Sequence, residues 1–409
     1  MSILDSRWSA ARTAREGDPA ALAAALQTTR ARTLALLAAY EAALGPDLHV
    51  AYSPQINPPL WEVGHVGWFQ DYWIARNRQR SAGIACDSDH PRPDGRMPGA
   101  DARYNSSVVE HTTRWHLPLP DLAATRACLE AGLVETLDLL ASTQADDEAL
   151  YFFRLVLFHE DMHAEAATYM AQALDIPLPP ALPSGLPAGS PRSTVLRIPG
   201  GQWRLGYDGP GFAFDNELQA HTVLVAAFEI DGAPVTWAGY LPFLESGGYR
   251  EARWWSADGW LWRTSNAIET PRYLRRVDGA WQHRLFGQWQ PLTLTSPAVH
   301  LTWFEADAWC RWAGRRLPSE AEWECAALSD NEFRWGDVWE WTASPFLPYP
   351  GFCAHPYRDY SAPWFGTRHV LRGASRATSP NIAHPRYRNF FTAERNDIHA
   401  GFRSCAVDV

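Results

Sequence analysis

The sequence lacks any apolar run approaching the ~18 residues of a membrane-spanning helix, which excludes an integral helical membrane protein. It lacks a basic excess: 36 Lys and Arg stand against 46 Asp and Glu, a formal net charge of -10. That balance excludes nucleic acid or an anionic membrane surface as the main partner. Cysteine is scarce, with six in 409 residues (Cys86, Cys128, Cys310, Cys325, Cys353 and Cys405), none in a C-x-x-C pair. Such wide, irregular spacing excludes a disulfide frame or a zinc finger and leaves reduced, structural thiols. The opening residues, MSILDSRWSAARTAREGDPA, carry neither an apolar core nor a cleavage signal, so the expected location is the cytoplasm. What the chain does hold is apolar mass, 46% hydrophobic against 20% charged, ample for a globular core. Tryptophan is abundant at 21 residues. Most must pack, yet such a surplus also suits pockets for organic cations or planar rings.

The length predicts about two domains. Residues 1–176 read as helices. Helical apolar spacing runs over 18–44, 58–77, 120–142 and 147–174, with Pro or Asp at several starts. Four helices of this length predict an antiparallel bundle, with a long irregular segment over 79–118. Residues 177–194, PLPPALPSGLPAGSPRST, form a Pro/Gly/Ser linker. Over 195–409 the texture becomes short β-like runs, such as TVLVAAFEI (222–230), and two short helices with capping boxes at Thr302/Glu305 and Ser319/Glu322. The expected fold class is therefore α+β in two domains.

The chemistry concentrates in YFFRLVLFHEDMHAEAATYMAQAL (151–174), where His159 and His163 bracket Glu160 as H-E-x-x-H. Four residues apart on a helix, the two imidazoles share a face and can chelate one ion. Alone, the pattern is that of a zinc peptidase with the glutamate as base. No downstream third ligand follows, however. Upstream, His65 sits within the aromatic helix WEVGHVGWF and needs a partner if buried. Ligands in a bundle project inward from facing helices, so His65 can complete a three-histidine site. Three imidazoles leave octahedral positions open, which suits Fe(II) with substrate and O2; zinc would favour tetrahedral hydrolysis. Glu160 is then either a base or a partner orienting a ligand.

These segments, with RLPSEAEWECAAL (316–328), GDVWEWTASPF (336–346), YRDYSAPWFGTRHVLRGASRAT (357–378), YRNFF (387–391) and AGFRSC (400–405), resemble the ergothioneine-type nonheme iron sulfoxide synthases. The resemblance implies a DinB-like four-helix bundle followed by a formylglycine-generating-enzyme-like (C-type-lectin-like) domain. It implies Fe(II) on His65, His159 and His163, and O2-dependent joining of a chalcogen nucleophile to imidazole C2 of hercynine, the N-trimethylated histidine. It implies a hercynine-binding strip at Asn389, Phe390 and Phe391. Arg388 either reaches a substrate carboxylate or forms a structural salt bridge. One of Tyr357 and Tyr360 would be catalytic, or both pack.

The sequence also departs from that family. Phe391 stands where thiol-peptide members carry an aspartate for the donor amine, and 102–115 shows no arginine pair for the donor carboxylates. Met162 replaces a common glutamine. These departures turn the expectation towards a neutral donor and the selenoneine synthase branch, which joins hercynine to a selenosugar, 1-seleno-N-acetylglucosamine. Asn105, Ser106 and Ser107, with nearby tryptophans, would hold the sugar; Trp115 and His116 could enter the same pocket. A thiol donor such as cysteine or γ-glutamylcysteine is the alternative. A zinc peptidase and a non-catalytic hercynine binder are the readings of other classes. Formylglycine generation is excluded for want of a cysteine pair near the C-terminus. A monomer or small homo-oligomer is expected.

Overall fold

The computed structural model describes residues 3–180, 182 and 194–407. Most of the Pro/Gly/Ser stretch 177–194, namely 181 and 183–193, lies outside the described residues. The N-terminal part is helical: α1 (Ile3–Glu16), α2 (Pro19–Leu44), α3 (Pro59–Gln70), α4 (Ala100–Tyr104), α5 (Leu122–Ala141) and α6 (Asp147–Ala173). Asp18, Asp121 and Asp146 each accept a hydrogen bond from a backbone N–H three residues on, which fixes the starts of α2, α5 and α6. Helix α3 runs on through a π turn, Asp71–Ala75. Helix α2 packs on α5 and α6, and α3 packs on the other side of the same pair. The four long helices were legible in the apolar spacing; α1 was not. No helix among the described residues is long and apolar enough to cross a membrane.

The rest is α+β. The sheet beside the bundle takes its strands in the order Asn389–Phe391, His369–Gly373, Trp339–Pro345, Ala400–Gly401, with only the last pair parallel. Both expected capping boxes form, at Thr302/Glu305 and Ser319/Glu322. The run 222–230 is not one strand. It breaks into His221–Val225 and Phe228–Asp231, which belong to different sheets.

The two parts close on each other over α6. Every cationic side chain in the sequence is arginine, and its planar fork suits buried two-point pairing with a carboxylate. Arg15 on α1 donates two hydrogen bonds of 2.8 Å to Glu217, with neither side chain exposed. Glu165 on α6 accepts from the Trp339 indole (2.7 Å) and from the Ser375 and Thr378 hydroxyls (2.8 and 2.9 Å). Asp161, one turn earlier, accepts from Thr29 and Asn381 at 2.9 Å each. One apolar core runs from Trp61 and Phe158 through Phe214 to Trp341 and Phe402. The facing side of α6 therefore looks into the seam between the two parts.

Candidate metal centre and substrate cavity

His65, His159 and His163 come together, each offering one nitrogen, with those atoms all within 4.8 Å of one another. The Nε2 atoms of His65 and His159 are 3.2 Å apart. Adjacent ligands on an octahedral ion with metal–nitrogen bonds of about 2.1 Å sit about 3 Å apart, so the imidazoles fit a bound first-row metal. The tautomers are set from behind. His65 Nδ1 donates to the Tyr104 carbonyl at 2.7 Å, and His163 Nδ1 donates to Glu62 Oε2 at 2.9 Å. Each bond leaves Nε2 as the lone-pair donor. Burial pushes the His65 imidazole down to about 3, with His163 adding to the push, and drives His159 well below its ordinary value. Both are neutral, the form that ligates metal.

Local sequence builds this. Glu62, His65 and Phe69 recur at three- and four-residue spacing on one face of α3. Tyr104 reaches His65 only because residue 64 is glycine: a Cβ there would lie 2.4 Å from the Tyr104 ring. Trp61 stacks on His65 (centroids 5.0 Å apart, 9° between planes) and Phe69 on His159 (3.5 Å, 1°). These rings lock the imidazoles. Burial works to raise the Glu62 carboxyl, but His163 and the Asn57 amide outweigh it and hold it at about 2. Glu62→Ala should weaken metal binding by about 10- to 100-fold without unfolding the chain. Competition with a chelating dye, alongside circular dichroism, measures both.

Glu160 has neither role expected of it. Its carboxylate faces away from the histidines and takes two bonds from Arg30, at 2.7 and 2.9 Å, with both side chains buried. A peptidase base must be free to reach water beside the metal. This one is held as an ion pair within the bundle, which removes the peptidase reading.

A cavity of about 660 Å³ opens over His159 and His163. Of the candidate substrate residues, Ser106, Ser107, Tyr357, Tyr360, Asn389, Phe390 and Phe391 line it. Asn105 does not. It faces a second cavity of about 260 Å³, which His65, Ser106, Ser107 and Tyr357 also line. Arg388 is a correction. It is buried, paired with Glu320 at 2.9 Å through two nitrogens, and lies over the Tyr349 ring at 3.9 Å. It therefore holds the fold, not a substrate carboxylate. Trp115 and His116 line neither cavity: Trp115 donates to the Val50 carbonyl, and it is Arg114 that reaches the larger one. Arg114 lies 4.0 Å over the Trp61 ring and donates to Asn57 at 2.7 Å.

The two tyrosines differ. Tyr357 packs edge-on against Phe69 (4.9 Å), with its ring 6.2 Å from that of His159. Among the described residues its hydroxyl makes no hydrogen bond to the protein, and burial raises its pKa, so the phenol stays protonated. The Tyr360 hydroxyl bonds to that of Tyr387 at 2.8 Å, and Tyr387 in turn donates to the Met162 sulfur at 3.5 Å. Glu62, Asn57, Arg114, Asp359 and Tyr387 were missed as cavity residues. Only Glu62 had a signal, its position three residues before His65.

Residues 183–337 and 332–409 match the sulfatase-modifying factor enzyme 1-like domain. The chain is 34% identical to the hercynine oxygenase of Mycolicibacterium smegmatis over 93% of this chain and 97% of that protein. It is 33% identical to the hercynine oxygenase of Mycobacterium tuberculosis, covering 94% and 98%. The formylglycine-generating enzyme of Streptomyces coelicolor is 28% identical over 58% of this chain and 96% of that protein. These relatives overturn the selenoneine synthase branch and its selenosugar: the full-length matches are hercynine oxygenases. The sugar-binding reading also loses polar groups to internal bonds. Asn105 Oδ1 accepts from the Ser107 N–H at 3.0 Å, and the Ser107 hydroxyl donates to Asp359. With matching architecture over more than nine-tenths of its length, and three histidines gathered under a cavity between its two parts, the chain belongs to the hercynine oxygenase family.

Proposed function

We propose that the protein uses Fe(II) and O2 to join hercynine, at imidazole C2, to a small thiol, giving a sulfoxide. One carbon-bound and one sulfur-bound hydrogen leave with one oxygen atom as water, and the other oxygen remains on sulfur. One observation carries the reading: α3 delivers His65 to within 3.2 Å of His159 on α6, in a chain that matches a hercynine oxygenase over 93% of its length. His65, His159 and His163 would hold the iron, which when bound supplies open positions for O2 and for a thiolate.

The remaining chemistry falls to the chain's own residues. The aromatic walls at Trp339, Trp364, Tyr387 and Phe390 suit a trimethylammonium group through cation–π attraction. Asn389 Oδ1 accepts from the Phe390 N–H at 2.9 Å, so its amide nitrogen is left for substrate. Arg114 supplies a positive charge in the cavity wall for a carboxylate. Tyr357, neutral and packed beside His159, is placed to give a proton to oxygen as the bond forms. Holding both organic substrates against one ion replaces a three-body encounter by a bound geometry.

The test is anaerobic loading with Fe(II), then addition of hercynine, O2 and either cysteine or γ-glutamylcysteine. The expected result is O2 consumption that requires both organic substrates, and a product of the mass of a hercynyl sulfoxide. Peptide cleavage restored by zinc, or hercynine binding with no O2 uptake under any donor, would sink the reading.

A further inference from the structure

The segment carrying Tyr357 is irregular: short 3-10 turns at Arg358–Tyr360 and Ala362–Trp364, joined to no sheet. Something else must hold it, and both its ends return to one carboxylate. The His355 backbone N–H donates to Asp215 Oδ2 at 3.3 Å, and the Ser361 hydroxyl donates to Asp215 Oδ1. The Asn216 amide adds a bond of 3.1 Å to the Ser361 oxygen. The turn supplying these groups, Asp215–Glu217, is itself anchored. Arg15 pairs with Glu217, and Arg388 donates to the Asn216 carbonyl at 2.7 Å. Between the two tied ends, Tyr360 stacks on Phe214 (4.2 Å, 24°) and Tyr357 presses against Phe69 and the His159 side of the metal centre.

Asp215 is almost fully buried and makes no ion pair among the described residues. Burial, with the Glu217 charge adding to it, pushes its carboxyl above the usual range, while the Ser361 hydroxyl and the His355 N–H pull the other way. A buried carboxylate without a cation is costly for a fold to keep. Its bonds to the two ends of one loop give that cost a use.

We propose that Asp215 is a positioning residue: it closes residues 355–361 into a fixed loop that sets the Tyr357 hydroxyl against the metal centre. The proposal rests on the role given to Tyr357 above. A positioned group displaced by about 1 Å can lose about 10²-fold in rate, and loops hold such positions only when their supports are built in.

The experiment uses the full-length, iron-loaded protein. Asp215→Ala is expected to lower kcat about 10²-fold, with KM for hercynine and iron stoichiometry unchanged. Asp215→Asn, which keeps one acceptor, should recover part of the loss. In a Tyr357→Phe background, Asp215→Ala should cost no further kcat, because the clamp then has nothing to place. A merely structural aspartate would cost the same in both backgrounds, and that result overturns the proposal. A second readout needs no turnover: in metal-free protein, Asp215→Ala should speed hydrogen exchange of the amides of 357–362 about tenfold or more, and unchanged exchange also overturns it. If Asp215→Ala does not fold, Ser361→Ala removes one tie and is read the same way. Absence of hercynine–thiol turnover in the unaltered protein would instead sink the proposed function, and exchange would still decide the clamp.

Discussion

His65→Ala yields a folded protein that no longer retains iron and no longer turns over. Two imidazoles one helical turn apart remain, but the ion loses the ligand that ties α3 to α6. The expected loss in metal affinity is at least about 10³-fold, on the order of 4 kcal/mol. Stability falls by much less. The substitution strands the Tyr104 carbonyl, which accepts from His65 at 2.7 Å, and a lost partner for one buried acceptor costs about 1–3 kcal/mol. The rings of Trp61 and Trp68 around position 65 keep the apolar packing of α3. Iron per protein after anaerobic gel filtration, set beside urea unfolding of the same sample, separates the two effects. Full iron occupancy in the folded variant would mean that the three-histidine centre is misassigned.

Acid destabilises this fold through buried histidines outside the His65, His159 and His163 cluster. His283 and His300 are buried with no exposure, and His399 lies beside His300 with ring centroids 4.9 Å apart. Burial holds His283 and His399 down at about 4 and His300 well below its ordinary value, and repulsion from His399 adds to the first and third. The unfolded chain takes up protons on these rings below about pH 6.5, while the folded chain refuses them. Stability is therefore intact above pH 6.5 and is lost as pH falls towards 4. Each ring contributes at most about 1.4 kcal/mol per pH unit, so the three together contribute at most about 4 kcal/mol per pH unit. Asp161 acts in the opposite sense: burial raises its carboxyl to about 6, and the folded state protonates first. The clean measurement is thus a difference. Urea unfolding between pH 6.5 and 4.5 should show a slope against pH about 1 kcal/mol per unit shallower in His283→Gln than in the unaltered protein. Equal slopes would mean that His283 is already charged in the fold.

How much of the site was legible depends on distance along the chain. The pairing of His159 with His163 follows from helical spacing, and their neighbours YFFRLVLF already say that the face is buried. His65 is 94 residues away, and only its aromatic helix suggested an inward role. That Arg114, and not Trp115 or His116, reaches the cavity depends on how a short 3-10 turn (His111–His116) is rotated, which no periodicity encodes. Arg388, beside Asn389, reads either as a substrate residue or as a structural salt bridge. In a strand, however, neighbouring side chains point to opposite faces, and the residue just before the strand turns to Glu320 instead. Between Tyr357 and Tyr360 the sequence had no basis for choice. The fold separates them by giving the Tyr360 hydroxyl a partner in Tyr387.

By itself, the sequence determined the helices of the bundle, the change of texture near residue 195, the i, i+4 histidine pair and the exclusion of membrane-spanning helices. Those are local properties, set by periodicity, capping and composition. Only the tertiary structure decided that Glu160 belongs to Arg30, that Glu62 orients His163, that Tyr357 stands beside His159 and that Asp215 ties both ends of its loop. Each of these joins residues from separate segments, and a side chain's partner across such a gap is chosen by how helices and loops pack, which local spacing does not contain.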